Sequence, residues 1–201
     1  MTPTQLAFAA GLLAAAGVYG IVIGTLLTDH EWWPPGDRTA AYYVHWTCVG
    51  VFDVALLLTA ALDWGGWGLA TPVRVGGVAL ALLGTAVFVW GARAMRSAET
   101  MGVTGELYTD GPYAYTRNPQ YVGMIVGVPG IALAVGSALV AALATVHVGW
   151  VLLLPRAEEP HLRAEFGKRY ERYAARVPRF VGFATVRRAL DPTTGEPPEN
   201  S

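Results

Sequence analysis

The chain has 201 residues, of which 53% are hydrophobic and 14% are charged, and its formal net charge at pH 7 is -1. Typical soluble domains carry about 25% charged residues, so this composition is not that of an ordinary soluble domain, and it excludes a disordered chain. The near-neutral charge gives no electrostatic basis for binding nucleic acid. The single cysteine, Cys48, excludes an internal disulfide and a cysteine zinc cluster. The four histidines show no metal-ligand spacing, so no metal site is expected.

Long apolar runs predict three membrane-spanning helices in the first half of the chain. The hydrocarbon core of a bilayer is about 30 Å thick, and an α-helix of about 18 or more apolar residues crosses it. Residues 6–27 contain no charged side chain and form the first predicted span. Residues 39–62, interrupted by His45 and Asp53, form the second, and residues 75–92 form the third.

A fourth apolar run, residues 122–154, is too long for one crossing. Its 33 residues carry no charged side chain and would extend about 50 Å as a single helix. Gly136 and Ser137 lie near the middle and favour a turn, which divides the run into helices of 14 and 17 residues. Pro129 would kink the first of them. The predicted fold is therefore an all-α membrane bundle of about five helices, with the last two forming a short hairpin.

The distribution of basic residues predicts how the bundle lies in the membrane. Twelve of the 14 follow either the third or the last predicted span, and the hairpin between the two groups places both on one face. The positive-inside rule makes that face cytoplasmic, so we expect the N-terminus outside and the C-terminus in the cytoplasm. The twelve are Arg93, Arg96, Arg117, Arg156, Arg163, Lys168, Arg169, Arg172, Arg176, Arg179, Arg187 and Arg188. Five tryptophans near the predicted span ends are expected in the headgroup layer: Trp32, Trp33, Trp64, Trp67 and Trp90.

One acidic residue and two histidines lie inside the predicted spans. A formally charged residue in mid-span is costly, so Asp53 is either a proton or substrate site or a group that bonds a neighbouring helix. His45 lies eight residues earlier and could share a helix face with Asp53. His147 in the last span is expected to form a hydrogen bond that packs two helices.

A polar connector follows the third span. Its Asp110-Gly111-Pro112 sequence is typical of a turn. Three tyrosines then surround the cation of Arg117, and Asn118-Pro119 is a good N-cap sequence for the next helix. The free N–H groups at that helix start are suited to binding an anion.

A charged segment with an apolar stripe follows the last span. Leu162, Phe166, Tyr170, Tyr173 and Val177 are separated by 4, 4, 3 and 4 residues, which predicts one amphipathic helix. That helix would either lie on the membrane surface or dock over the connector. We expect residues 1–181 to form a single domain and residues 182–201 a tail, whose end from residue 191 is disordered.

Two linked motifs resemble a known enzyme group. The sequence GPYAYTRNPQYVG at residues 111–123 and the sequence EEPHLRAEFGKRYERYAARVPR at residues 158–179 flank the predicted hairpin. In this order they resemble the isoprenylcysteine carboxyl methyltransferase and phospholipid methyltransferase group of integral membrane enzymes. The resemblance extends over about residues 103–181, while the first three spans are similar only in being apolar.

The resemblance implies transfer of a methyl group from S-adenosylmethionine to an isoprenoid or lipid-like acceptor that arrives from the bilayer. It implies that ten residues bind the cofactor: Gly105, Glu106, Leu107, Tyr108, Asn118, Pro119, Gln120, Tyr121, Glu158 and Glu159. It also places Tyr113 and Arg156 at the acceptor and gives Arg117, Glu158 and Arg156 catalytic roles. The family commonly has histidine at the positions of Gly105 and Asn118, so these two contacts differ here.

The residue types suit this chemistry independently of the family. A glutamate can accept hydrogen bonds from a ribose diol or an ammonium, Arg117 can hold a carboxylate, and a tyrosine can stack on adenine or face a sulfonium. Without an obvious general base, an anionic or thiol-like acceptor is favoured over an amine. Two alternatives stay open: a sterol-type membrane reductase that uses a nicotinamide cofactor, and a non-catalytic membrane scaffold.

Overall fold

The computed structural model describes residues 1–95, 101–103, 105–182, 185–186 and 190. These residues form α-helices and no β-strand, in agreement with the predicted all-α fold. The helices are α1 (Pro3–Leu27), α2 (Ala40–Leu62), α3 (Thr71–Arg93), α4 (Pro119–Val135), α5 (Ala138–Phe166) and α6 (Lys168–Arg176), with a 3-10 turn at Gly111–Ala114. The predicted disordered end at residues 191–201, and the basic residues Arg96, Arg187 and Arg188, lie outside the described residues.

Local sequence signals fix where the helices begin and end. Thr2 caps α1 through a capping box with Gln5, and Thr39 caps α2 by accepting a hydrogen bond from a backbone N–H of the first turn. Gly136 ends α4 at φ 68°, a left-handed conformation that glycine adopts readily, and Ser137 caps α5. The turn between α4 and α5 therefore lies where the sequence predicts it.

Four helices are long and apolar enough to cross a bilayer, namely α1, α2, α3 and α5. The fifth apolar helix, α4, has 17 residues and is shorter, although about 17 residues is the lower end of the usual range for a crossing. Large apolar side chains cover the outer surface, such as Leu13, Leu57, Val75 and Leu82. A lipid environment is the one that suits this surface, because soluble monomers rarely expose large contiguous apolar patches.

Helix α5 lies between two helix pairs. The α1–α2 pair packs on one side of it, α4 packs on the other, and α3 packs on α4. The core is apolar and includes the fully buried side chains of Val18, Phe52, Val140, Leu143 and Val151. This arrangement brings the C-terminal end of α5 close to the α1–α2 loop and to the start of α4.

Glycines allow α3 and α4 to approach closely. Gly77, Gly84 and Gly91 recur every seven residues on α3 and are buried. A Cβ atom at Gly84 would lie 2.3 Å from the backbone nitrogen of Gly127 on α4, so no larger side chain fits there without a shift. Gly91 packs in the same way on the first turn of α4, at Pro119 and Gln120. The glycine contact therefore fixes the position of the α4 start, which carries part of the candidate site.

The prediction of one amphipathic helix after the last span is wrong. Helix α5 continues through Pro155 and Pro160 to Phe166, and Gly167 at φ 50° separates it from the nine-residue α6. The apolar stripe is therefore divided between two helices. It still forms one cluster, in which buried Tyr170, Tyr173 and Val177 pack with Leu107, Leu162 and Phe166. Because Leu107 belongs to the connector, the stripe docks over the connector.

Several side chains in the spans or close to their ends differ from expectation. Trp33 is 3% exposed, so it is a core residue, whereas the other four tryptophans near the span ends are exposed. His45 is buried while Asp53 is exposed, so the two do not share a helix face. The Nδ1 atom of buried His147 has no hydrogen-bond partner in the described part of the chain, and the ring packs on Phe52 instead.

Candidate active site

A cavity lies at the end of the bundle where the α3–α4 connector, the start of α4 and the C-terminal part of α5 meet. Eleven of the thirteen residues that the sequence predicts for the site line this cavity. They are Gly105, Glu106, Leu107, Tyr108, Tyr113, Arg117, Asn118, Gln120, Tyr121, Glu158 and Glu159. The structure therefore brings together two motifs that are about forty residues apart in the sequence.

The other two predicted site residues do not line the cavity. Pro119 is fully buried at the first turn of α4, against Gly91. Arg156 is exposed, and its guanidinium donates a hydrogen bond of 2.8 Å to the backbone oxygen of Leu152 on its own helix. The contact between Arg156 and an acceptor stays a prediction, and in this conformation the Arg156 side chain does not point into the cavity lining.

Hydrogen bonds hold the connector against α6 and the chain that follows it. The backbone N–H of Arg117 donates to the oxygen of Pro178 at 2.9 Å, and the hydroxyl of Thr116 donates to the oxygen of Arg179 at 3.1 Å. The hydroxyl of Tyr173 donates to the backbone oxygen of Tyr113 at 2.8 Å. The C-terminal segment thus forms part of the frame of the site.

Asn118 occupies the N-cap position of α4 but does not cap the helix with its side chain. Its Nδ2 atom donates instead to the backbone oxygen of Arg179 at 2.8 Å. Asn118 is therefore the N-cap residue that the sequence predicts, but its side chain does not bond the helix start. Asn118 gives the first turn of α4 no side-chain cap, which leaves the N–H groups of that turn available to an anionic group.

Glu159 is the centre of an ion-pair network. Its side chain is 6% exposed and contacts three arginines. Arg179 forms a two-pronged pair with it, at 2.7 Å to Oε1 and 2.8 Å to Oε2. Arg117 lies 3.1 Å from Oε1, and Arg163 lies 3.4 Å from Oε2. Both carboxylate oxygens are therefore occupied, and the network joins α5 to the start of α4 and to the segment after α6.

Glu158 has different partners. Trp33 donates its indole N–H to Oε1 at 2.8 Å, and the hydroxyl of Tyr121 donates to the same oxygen. Among the residues that the structure describes, no hydrogen bond reaches Oε2 of Glu158. This carboxylate is held in place on one side and keeps an acceptor atom for a ligand.

Arg117 is a buried cation in the cavity wall. Its side chain is 11% exposed, and it pairs with Glu159 and donates to the hydroxyl of Tyr170 at 3.0 Å. Its Nε atom is buried and has no partner among the described residues. Burial raises the pKa of the Tyr170 hydroxyl, although the Arg117 cation acts in the opposite direction. The hydroxyl therefore stays protonated at neutral pH and accepts from Arg117.

Sequence reasoning missed the aromatic and apolar wall of the cavity, apart from the tyrosines of the connector. The α1–α2 loop contributes Trp33 and Pro34, and the end of α5 and α6 contribute Leu162, Phe166, Tyr170 and Tyr173. The apolar stripe was visible in the sequence, but its place in the site was not. His161 of α5 also lines the cavity, and its Nδ1 atom lies 3.4 Å from Oε2 of Glu31 in the α1–α2 loop.

Comparison with known proteins identifies the enzyme family that this site resembles. Residues 73–169 match the family model for phospholipid methyltransferases. The resemblance seen in the sequence motifs is confirmed. A protein-S-isoprenylcysteine O-methyltransferase of Schizosaccharomyces pombe is 39% identical over 74 residues, which is 36% of this chain and 31% of that relative. No solved structure matches the chain at a significant level.

One part of the site lies inside the region that matches the family model, and another part lies outside it. The family match includes nearly all of α3, the connector, α4 and the whole of α5. The α1–α2 loop and the segment after α6 lie outside it, although both contact the glutamate pair. The alignment with the Schizosaccharomyces pombe relative spans about a third of the length of that protein. The family match and the four helices that are long enough to cross a bilayer together indicate a multi-pass membrane protein.

Proposed function

We propose that this protein transfers a methyl group from S-adenosylmethionine to an isoprenoid or lipid-like acceptor at the cytosolic face of a membrane. The observation that carries the proposal is the meeting of Glu158 and Arg117 in one aromatic cavity, built largely by the region that matches phospholipid methyltransferases. The name of the curated relative supports a prenylated acceptor.

The residues of the cavity fit the groups that this methyl donor carries. The free oxygen of Glu158 can accept hydrogen bonds from the ribose diol or the ammonium. Arg117 and the uncapped start of α4 can hold the carboxylate. The rings of Tyr108 and Tyr121 can stack on adenine or face the sulfonium cation.

Methyl transfer is an in-line displacement, so the tasks of the protein are alignment and exclusion of water. When bound, S-adenosylmethionine supplies an electrophilic methyl group. Glu158 is held by Trp33 and Tyr121 and can fix one end of the donor. The apolar wall, including Leu162 and Phe166, keeps water from the reacting atoms.

The acceptor group that suits this site is an anion, while a thiol or an amine remains a further candidate. A carboxylate is already a nucleophile and needs no general base. The carboxylate of Glu159 is occupied by three arginines and is therefore unsuited to removing a proton. A lipophilic acceptor would reach the cavity from the bilayer that surrounds the helices.

Calorimetric titration of the detergent-purified protein tests donor binding. We expect heat of binding with S-adenosylmethionine and none with NADPH. Glu158→Gln should weaken donor affinity by about tenfold or more, because it removes a charged acceptor. Glu165→Gln is the matched control, since Glu165 is an exposed glutamate on the same helix. Binding of NADPH alone would support the reductase, and binding of neither would contradict the proposal.

A further inference from the structure

We propose that Trp33 is a positioning residue of the methyl-donor site, which it serves by fixing the carboxylate of Glu158. This inference rests on the proposed function and adds to it a residue of the α1–α2 loop. Trp33 lies well before the region that matches the methyltransferase family, which begins at residue 73. No sequence motif marks it.

The contact between Trp33 and Glu158 is direct. The indole Nε1 donates to Glu158 Oε1 at 2.8 Å, over 125 residues of sequence. An N–H donor is stronger when its acceptor is a carboxylate, and the low exposure of Trp33 protects the bond from water. Since Tyr121 donates to the same oxygen, the two donors together define the orientation of the carboxylate and leave Oε2 for a ligand.

Trp33 also supports the chain that leads into the predicted donor-binding residues 105–108. A Cβ atom at Gly102 would lie 2.9 Å from the indole ring, so the backbone at Gly102 packs directly on it. Close by, Gly36 and Val103 form an isolated parallel bridge, and the indole of Trp46 donates to the oxygen of Met101 at 3.1 Å. One side chain thus contacts both the Glu158 carboxylate and the segment that enters the cavity.

His45 on α2 packs against one face of the Trp33 indole ring and holds the ring in place. Its imidazole is 3% exposed and stacks on Trp33 with a centroid distance of 3.9 Å and an interplanar angle of 21°. The Nδ1 atom of His45 has no hydrogen-bond partner among the described residues. The ring therefore acts as a flat packing surface, and its shape matters more than its polar atoms.

A double-mutant cycle tests whether Trp33 acts through Glu158. Trp33→Phe keeps an aromatic ring but removes the N–H, so donor affinity should fall by about tenfold. In a Glu158→Ala background, which removes the acceptor of the indole N–H, the same substitution should change affinity by less than about twofold. The matched control is Trp32→Phe, since the neighbouring Trp32 is exposed and should tolerate the change.

Thermal unfolding of the same variants provides a measurement that needs no donor. If Trp33 holds Glu158, the loss in unfolding midpoint of the double variant Trp33→Phe/Glu158→Ala should be smaller than the sum of the losses of the two single variants. Coupled midpoints without any donor binding by the parent protein would overturn the proposed function but support the Trp33–Glu158 link. Additive effects in both measurements would overturn the inference.

A second pair of variants tests the support from α2. His45→Phe keeps a flat ring against Trp33 and should retain donor affinity within about twofold, whereas His45→Ala should lower it as Trp33→Phe does. Equal losses in His45→Phe and His45→Ala would show that a polar atom of His45 is required, which contradicts its role as a packing surface.

Discussion

Glu158 and Glu159 are neighbours in the sequence, but their carboxylates have different partners. Glu159 is surrounded by Arg117, Arg163 and Arg179, which occupy both of its oxygens. Glu158 is held through one oxygen by Trp33 and Tyr121. We therefore assign Glu159 to the architecture of the site and Glu158 to the ligand.

Glu159→Gln should destabilise the protein more than Glu158→Gln does. The substitution leaves a buried Arg117 without its counter-charge, and breaking a buried ion pair in this way typically costs about 3 kcal/mol or more. The measurement is the thermal unfolding midpoint in detergent, followed by tryptophan fluorescence. An unfolding midpoint for Glu159→Gln equal to that of the parent would contradict the architectural role.

The residues that the sequence could assign lie in the two motifs or in the connector just before the first motif, because family patterns preserve spacing along such a stretch. Eleven of them line one cavity. Trp33 could not be assigned, since tryptophan near a span end is typical of the headgroup layer and its partner lies 125 residues away. Arg156, in contrast, was assigned to the site because an arginine is expected close to the second motif. In the structure its side chain bonds its own helix.

At the scale of helices, the contact between α3 and α4 depends on glycine. The seven-residue spacing of Gly77, Gly84 and Gly91 is visible in the sequence, and small residues are favoured where helices meet in a membrane. The sequence does not say which helix is the partner. In the structure the partner is α4, so this contact places Gln120 and Tyr121 at the cavity.

Gly84→Ala should disturb this helix pair. Its Cβ atom would lie 2.3 Å from the nitrogen of Gly127, and overpacking of this kind costs about 1 to 3 kcal/mol. Gly76→Ala is the matched control on the same helix, because nothing lies within 4 Å of the atom it adds. We expect a lower unfolding midpoint and weaker donor binding for Gly84→Ala, and an unchanged or higher midpoint for Gly76→Ala. Equal behaviour of the two variants would exclude the close helix contact.

Helix α5 ends twelve residues beyond residue 154, where the predicted last span ends. Pro155 and Pro160 favour a break, and a charged segment begins near them, so the sequence favours a span that ends near residue 154. The helix nevertheless continues to Phe166. The contacts of Glu158 and Glu159 with three separate segments supply tertiary support that no local signal carries.

At the scale of the whole molecule, the two ends of the bundle are distinct. At one end the α2–α3 loop is bonded to the α4–α5 turn, with the N–H of Gly65 donating to the oxygen of Val135 at 2.9 Å. The α1–α2 loop lies at the other end, with the cavity and α6. Composition and hydropathy were sufficient to predict the helices and which loops lie at the same end of the bundle. Which loop side chains meet at the site depends on tertiary packing and could not be read from them.

Cysteine labelling tests the proposed orientation, with the cavity in the cytoplasm. In a Cys48→Ala background, Ala70→Cys lies in the α2–α3 loop and Glu171→Cys lies on α6, and both parent residues are exposed. We expect a membrane-impermeant maleimide to label position 70 in intact cells and position 171 only after permeabilisation. Labelling of both positions from the same side would contradict the bundle topology.

We propose above that the cavity around Glu158 is the place where a methyl group is transferred to a lipophilic acceptor. The most direct measurement is to incubate the purified protein with S-adenosylmethionine labelled in its methyl group and with membrane lipids or a prenylcysteine, and then to extract the lipids. We expect label in the lipid fraction with the parent protein and with Glu165→Gln, and its loss with Glu158→Gln. Absence of label from the lipid fraction of the parent protein, or equal labelling by Glu158→Gln, would contradict the proposal.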